Sequence, residues 1–146
     1  MKWLALTTVF IALSIVFVAC ASMSDVLKSK NEGTMQVYPV HFDQAWDIAV
    51  TALRWENCET IEEHKSNGYM LTTLGQNFIS AGTLVGVWVE QVDSANTKVT
   101  VVTKRKVQTN LATGLTETSF QKSFAQGVDI IKSGKQLPIE RPSSRK

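Results

Sequence analysis

The chain has 146 residues, with 15 Lys and Arg against 13 Asp and Glu and a formal net charge of +2. Setting aside Lys2 and the leader around it leaves one domain's worth of nearly neutral sequence. No strong field steers such a chain to nucleic acid or to an acidic surface.

Lys2 is the only charge before Asp25, and residues 3–19 read WLALTTVFIALSIVFVA. A positive start, an apolar run and a small residue at its end are the layout of an export signal. The run is slightly short of the roughly 20 apolar residues that a membrane-spanning helix needs. Phe17 is too bulky for the A-x-A pattern of a plain signal-peptidase site. Val18, Ala19 and Cys20 resemble instead the lipobox of bacterial lipoproteins, with Phe17 where the usual leucine stands. The resemblance implies that residues 1–19 are a lipoprotein signal peptide. It implies that the Cys20 thiol receives a diacylglycerol, and that cleavage after Ala19 leaves Cys20 as an acylated N-terminus. Ala21 stands where an aspartate would mark retention at the inner membrane, so the implied address is the outer membrane, facing the periplasm. The other readings of this stretch are an uncleaved membrane helix ending in a chance cysteine and a plain secreted protein. Acylation would hold the domain stably, since two or more chains anchor where one does so only marginally, at about 0.8 kcal/mol per buried methylene.

Residues 20–34 (CASMSDVLKSKNEGT) are mostly polar and lack sustained periodicity, and read as a lipidated N-terminus followed by a flexible tether of up to about 45 Å. Residues 35–134 read as the folded domain and residues 135–146, with two prolines and scattered charges, as a disordered tail. MQVYPVHF is a first strand, placed at a sheet edge by Pro39. Asp43 then suits the N-cap of a helix through QAWDIAVTALRWEN, in which Trp46, Ala49, Val50 and Leu53 share one face. CETIEEHK is a weak strand with Ile61 inward, Ser66–Gly68 a turn, and YMLTTL a strand. TLVGVWVEQV is the strongest strand, and Gly86 within it predicts a bulge or sharp bend. DSAN turns the chain into TKVTVVTKRKVQT. A last helix follows with Phe120, Phe124, Val128 and Ile131 on one stripe, Thr118 or Ser119 as its cap and Gly134 at its end. The predicted fold is α+β: a two-layer sandwich in the order β-α-β-β-β-β-α, with an antiparallel sheet of four to five strands packed against two helices.

VYPVHFDQAWDIAVTAL, through Tyr38, Phe42, Ala45, Trp46 and Leu53, is similar to the opening of a family of small bacterial lipoproteins. More distantly, it resembles the helix-grip modules of BamC-type lipoproteins of outer-membrane assembly. These are mainly core positions, so the resemblance implies a fold and an envelope setting and supplies no catalytic residue.

Chemistry-bearing patterns are sparse. Glu62 and His64 share a strand face and suit at most a weak surface metal contact beside the plainer reading of a solvated strand. Cys58 lacks the context of a thiol nucleophile and, with Cys20 acylated, has no intramolecular partner; a buried thiol is expected. Gly75, Gly82 and Gly86 lack the order of a phosphate-binding loop. Lys98, Lys104 and Lys106 share one face of the last strand, either as a solvated face or as a contact for lipid phosphates or a partner. Trp55 falls off the helical stripe and is either core or, if exposed, an anchor for a partner. The expected function is a non-catalytic binding or scaffolding module, joined to the membrane by its lipid and to an envelope protein partner. It involves no cofactor, metal, enzyme activity or nucleic acid. The alternative is a binder of a small apolar or lipid ligand in a groove between sheet and helix.

Overall fold

The computed structural model describes residues 21–75, 82–106 and 116–143. The leader and Cys20 lie outside the described residues, as do the loop residues 76–81, the end of the last predicted strand at 107–109, and residues 110–115. The elements in chain order are helix α1 (Met23–Lys28), a 3₁₀ turn (Lys30–Glu32), strand β1 (Thr34–Tyr38), helix α2 (Phe42–Trp55), and strands β2 (Ile61–His64), β3 (Tyr69–Leu74), β4 (Thr83–Gln91) and β5 (Thr97–Arg105). Helix α3 (Glu117–Lys132) closes the chain, and a second 3₁₀ turn (Lys65–Asn67) joins β2 to β3. The five strands form one antiparallel sheet in the order β1-β5-β4-β3-β2. The fold is therefore the α+β two-layer arrangement, with one more helix than the sequence pattern suggests.

The alternation of the strands sorts two cores. Val85, Val87 and Val89 of β4, with Val99 and Val101 of β5 and Met70 of β3, face α2 and α3 and pack with Trp46, Leu53, Phe120 and Phe124. The intervening residues Leu71, Leu84, Trp88 and Val102 point the other way, into a second cluster closed by Val26 of α1. Val26 is 0% exposed. The stretch read as a tether therefore lies folded on the outer face of the sheet.

Gly86 explains how. Its pairing with Leu71 and Val102 continues the register without a break, so the predicted bulge is absent. A Cβ at position 86 would lie 2.6 Å from Val26 Cγ1 and 2.8 Å from Trp88 Cη2. The missing side chain is the seat for α1. Gly127 serves the helix layer in the same way, since a Cβ there would lie 2.6 Å from Ile48 Cγ2.

The ends of the helices differ in detail from the sequence reading. Helix α2 is capped at His41, not Asp43: the His41 N–H donates to Gln44 Oε1 (3.3 Å) and the Phe42 N–H to Gln91 Oε1 (2.9 Å). Asp43 lies inside the first turn and pairs with Lys65 at 2.9 Å. Helix α3 is capped by Thr116, whose Oγ1 accepts from the Ser119 N–H while Ser119 Oγ accepts from the Thr116 N–H, both at 3.0 Å. Gly134, at φ 75°, ends it as expected; the Gly134 N–H reaches the Ile131 carbonyl and the Lys135 N–H the Ile130 carbonyl.

The tail also differs from its reading, because residues 135–143 are held against the helices. Leu137 packs on the main core, the Gln126 side chain donates to the Pro142 carbonyl at 3.2 Å, and Arg141 Nη1 pairs with Glu56 at 3.2 Å.

Gly86→Ala is expected to cost about 1–3 kcal/mol by overpacking. It should also shift Trp88 emission to the red as α1 lifts away. Adding Val26→Ala should recover part of that cost in denaturant melts. Additive losses from the two substitutions would show that Val26 does not rest on Gly86.

Candidate functional site

The region beside residue 20 is built from β5 and the start of α1. Ser22 caps α1: Asp25 Oδ2 accepts from the Ser22 N–H and from its hydroxyl, both at 2.7 Å. Those hydrogen bonds hold the Asp25 carboxyl below its ordinary range. The Ala21 N–H donates to the Lys106 carbonyl at 3.1 Å, and the Lys106 N–H donates to the Gly82 carbonyl at 3.1 Å. The chain therefore enters the fold at the C-terminal end of β5. Lys104 Nζ hydrogen-bonds Glu32 Oε2 at 3.0 Å and holds that carboxyl low.

The three lysines read as one face are divided between the two ends of the sheet. Lys104 and Lys106 lie at the entry end. Lys98 lies at the other, opposite Glu90 in the β4–β5 register, and pairs with it at 3.1 Å. Glu90 also accepts from Lys30 at 2.7 Å. Partial burial works against its charge, yet the hydrogen bonds from Lys30 and Lys98 keep its carboxyl below the ordinary value. Lys30 and Glu32 thus fasten the 3₁₀ turn at two points.

Trp55 is 7% exposed, and its Nε1 donates to the Pro138 carbonyl at 3.1 Å. It offers no exposed anchor. Ile48, Ala52 and Trp55 form a second stripe at i, i+4 and i+7, all buried, beside the stripe that faces the sheet. Ile48 meets α3 and Trp55 lies under the tail. At the same corner Glu56 is 11% exposed and accepts from Ser119 Oγ, Ser123 Oγ and Arg141. Sequence reasoning missed this cluster, which joins α2, α3 and the tail. Its partners are 63, 67 and 85 residues away in the chain, with no local signal to announce them.

Cys58 is a buried free thiol, 1% exposed, and burial pushes it up to about 11. Glu62 Oε1 and His64 Nε2 meet at 2.6 Å, and His64 stacks on Tyr69 across the strands at 4.6 Å. Among the described residues no group of three or more His, Cys, Asp or Glu is placed to hold a metal. Nor is any described helix long and apolar enough to cross a membrane.

A groove of about 350 Å³ runs between β1 and α3, lined by Thr34, Gln36, Thr118, Gln121, Lys122 and Ala125. Most of its lining residues are polar, but the surface they turn to the groove is mostly apolar. Beneath it, the Tyr38 hydroxyl donates to Gln121 Oε1 at 2.7 Å, and Gln121 Nε2 donates to the Thr34 carbonyl at 3.1 Å. These bonds tie α3 to the edge strand. No family model matches the chain, and no curated protein matches it.

The Cys58 thiol gives a pH-dependence. Its folded-state value of about 11 lies above the ordinary 9.0. Above pH 9 the unfolded chain sheds this proton while the folded chain keeps it, so stability falls as pH rises from 9 to 11. That loss amounts to about 2–3 kcal/mol. Cys58→Ala should flatten that part of the stability–pH curve. Native protein should also react with a thiol reagent only at the rate of unfolding. A fast-reacting native thiol, or an unchanged alkaline slope in Cys58→Ala, would contradict this placement.

Proposed function

We propose that the protein is a lipid-anchored, non-catalytic module of the bacterial cell envelope. Cys20 carries the lipid, and the α+β domain faces the periplasm from the outer membrane as a rigid surface for binding or scaffolding an envelope protein. The observation that carries this reading is the hydrogen bond from the Ala21 N–H to the Lys106 carbonyl. It supports a module whose fold begins one residue after the attachment point. A lipid on Cys20 would then fix the folded domain close to the bilayer. The Val18-Ala19-Cys20 pattern and its resemblance to the lipobox supply the attachment chemistry.

The proposal is tested in cells supplied with labelled palmitate. The wild type is expected to incorporate label, partition with detergent and lose the 19 residues before Cys20. Cys20→Ser should take up no label and remain as unprocessed precursor held by its apolar run. A Cys20→Ser protein processed and located like the wild type would refute the lipid anchor.

A further inference from the structure

The chain path gives the domain an orientation that the anchor alone does not. We propose that the C-terminal end of β5, through Lys106, is a membrane-facing surface that contacts the phosphates of anionic phospholipids. This inference rests on the anchored reading above.

Consecutive Cα atoms lie about 3.8 Å apart, so Cys20 is held within one residue of Ala21 wherever its side chain points. Ala21 is itself hydrogen-bonded to the backbone of Lys106 at 3.1 Å. A lipid on Cys20 therefore brings the Lys106 backbone within about one Debye length of the headgroup plane, where unscreened attraction between cation and phosphate survives. Arg105 is exposed there and Lys106 half-buried. Asp25 turns back on Ser22, and Glu32 is held by Lys104. The folded strap of residues 22–32 prevents the domain from swinging away, as a free tether would allow. One acyl anchor and an adjacent lysine form a two-part membrane signal, in which the lysine supplies sensitivity to lipid charge.

The opposite end of the sheet supplies internal controls. Lys98 lies on the same strand, about 25 Å from Lys106 at strand spacing. Lys65 pairs with Asp43 at the start of α2, where Phe42 is bonded to Gln91 at the far end of β4.

The test is an amine footprint of the full-length protein, purified from bacterial membranes and reconstituted. One set of vesicles is phosphatidylcholine alone, and the other contains phosphatidylglycerol in addition. Acetylation of each lysine is read by mass spectrometry. Lys106 is expected to be acetylated at least about threefold more slowly in the anionic vesicles, with Lys65 and Lys98 unchanged. The protection should disappear in 1 M salt. Equal rates at Lys106 in the two vesicles, or equal protection of Lys98 and Lys65, would overturn the proposal. The same spectra report whether Cys20 is acylated and the leader removed. An unacylated Cys20 would refute the anchor and, with it, the ground of this proposal; an acylated Cys20 without protection would refute the surface alone.

Discussion

The placement of Val26 over Gly86 is the contact on which the N-terminal part of the structure depends. Helix α1 has six residues, too few to be stable as an isolated helix. Its order comes from docking, and only a residue without a side chain at position 86 leaves room for it. Burying Val26 supplies about 1.5–3 kcal/mol. The ion pairs of Lys30 and Glu32 are partly exposed and add little each, but they fix the direction of the strap. The same contact covers Trp88, Leu71, Leu84 and Val102, so the central strands are buried on both faces.

The other face has its own logic. Two helices share it, and each is fitted at a point where a side chain is small or polar. Gly127 lets α3 approach Ile48, and Gln121 joins α3 to Tyr38 and Thr34 of the edge strand. The Thr34 N–H is also taken, by Glu117 at 2.9 Å. These side-chain bonds cover the upper end of β1 and discourage pairing with a foreign strand there. Met35 and Val37, 53% and 56% exposed, remain on the outer side of that strand. The tail closes the far side of the helix pair through Trp55 and Glu56. Residues 22–32 and 135–143 therefore both fold back onto the domain.

The strands and long helices were legible in the sequence because their periodicities are strong: alternating valines in β4 and β5, and the Trp46–Leu53 and Phe120–Val128 stripes. The strap was not legible. SMSDVLKSKNE contains one buried apolar residue, Val26, and its partners lie about 45 to 76 positions away in the chain, beyond any local pattern. Gly86 within a strand pattern suggests a bulge or a sharp bend, but a close approach of another element leaves the same mark in a sequence. A single stripe leaves Trp55 open between core and anchor, whereas a helix packed on both a sheet and a second helix buries two. Sequence also grouped Lys98 with Lys104 and Lys106 by face, but position along a strand separates residues that alternation unites.

The central claim is that residues 22–32 are part of the fold and fix where residue 20 leaves it. Nuclear Overhauser contacts in the mature protein test this most directly. Cross-peaks are expected from the Val26 methyls to the Trp88 ring and to the Gly86 α-protons, with helical shifts through Met23–Lys28. Random-coil shifts over residues 22–32 and no cross-peaks to Trp88 would contradict the account.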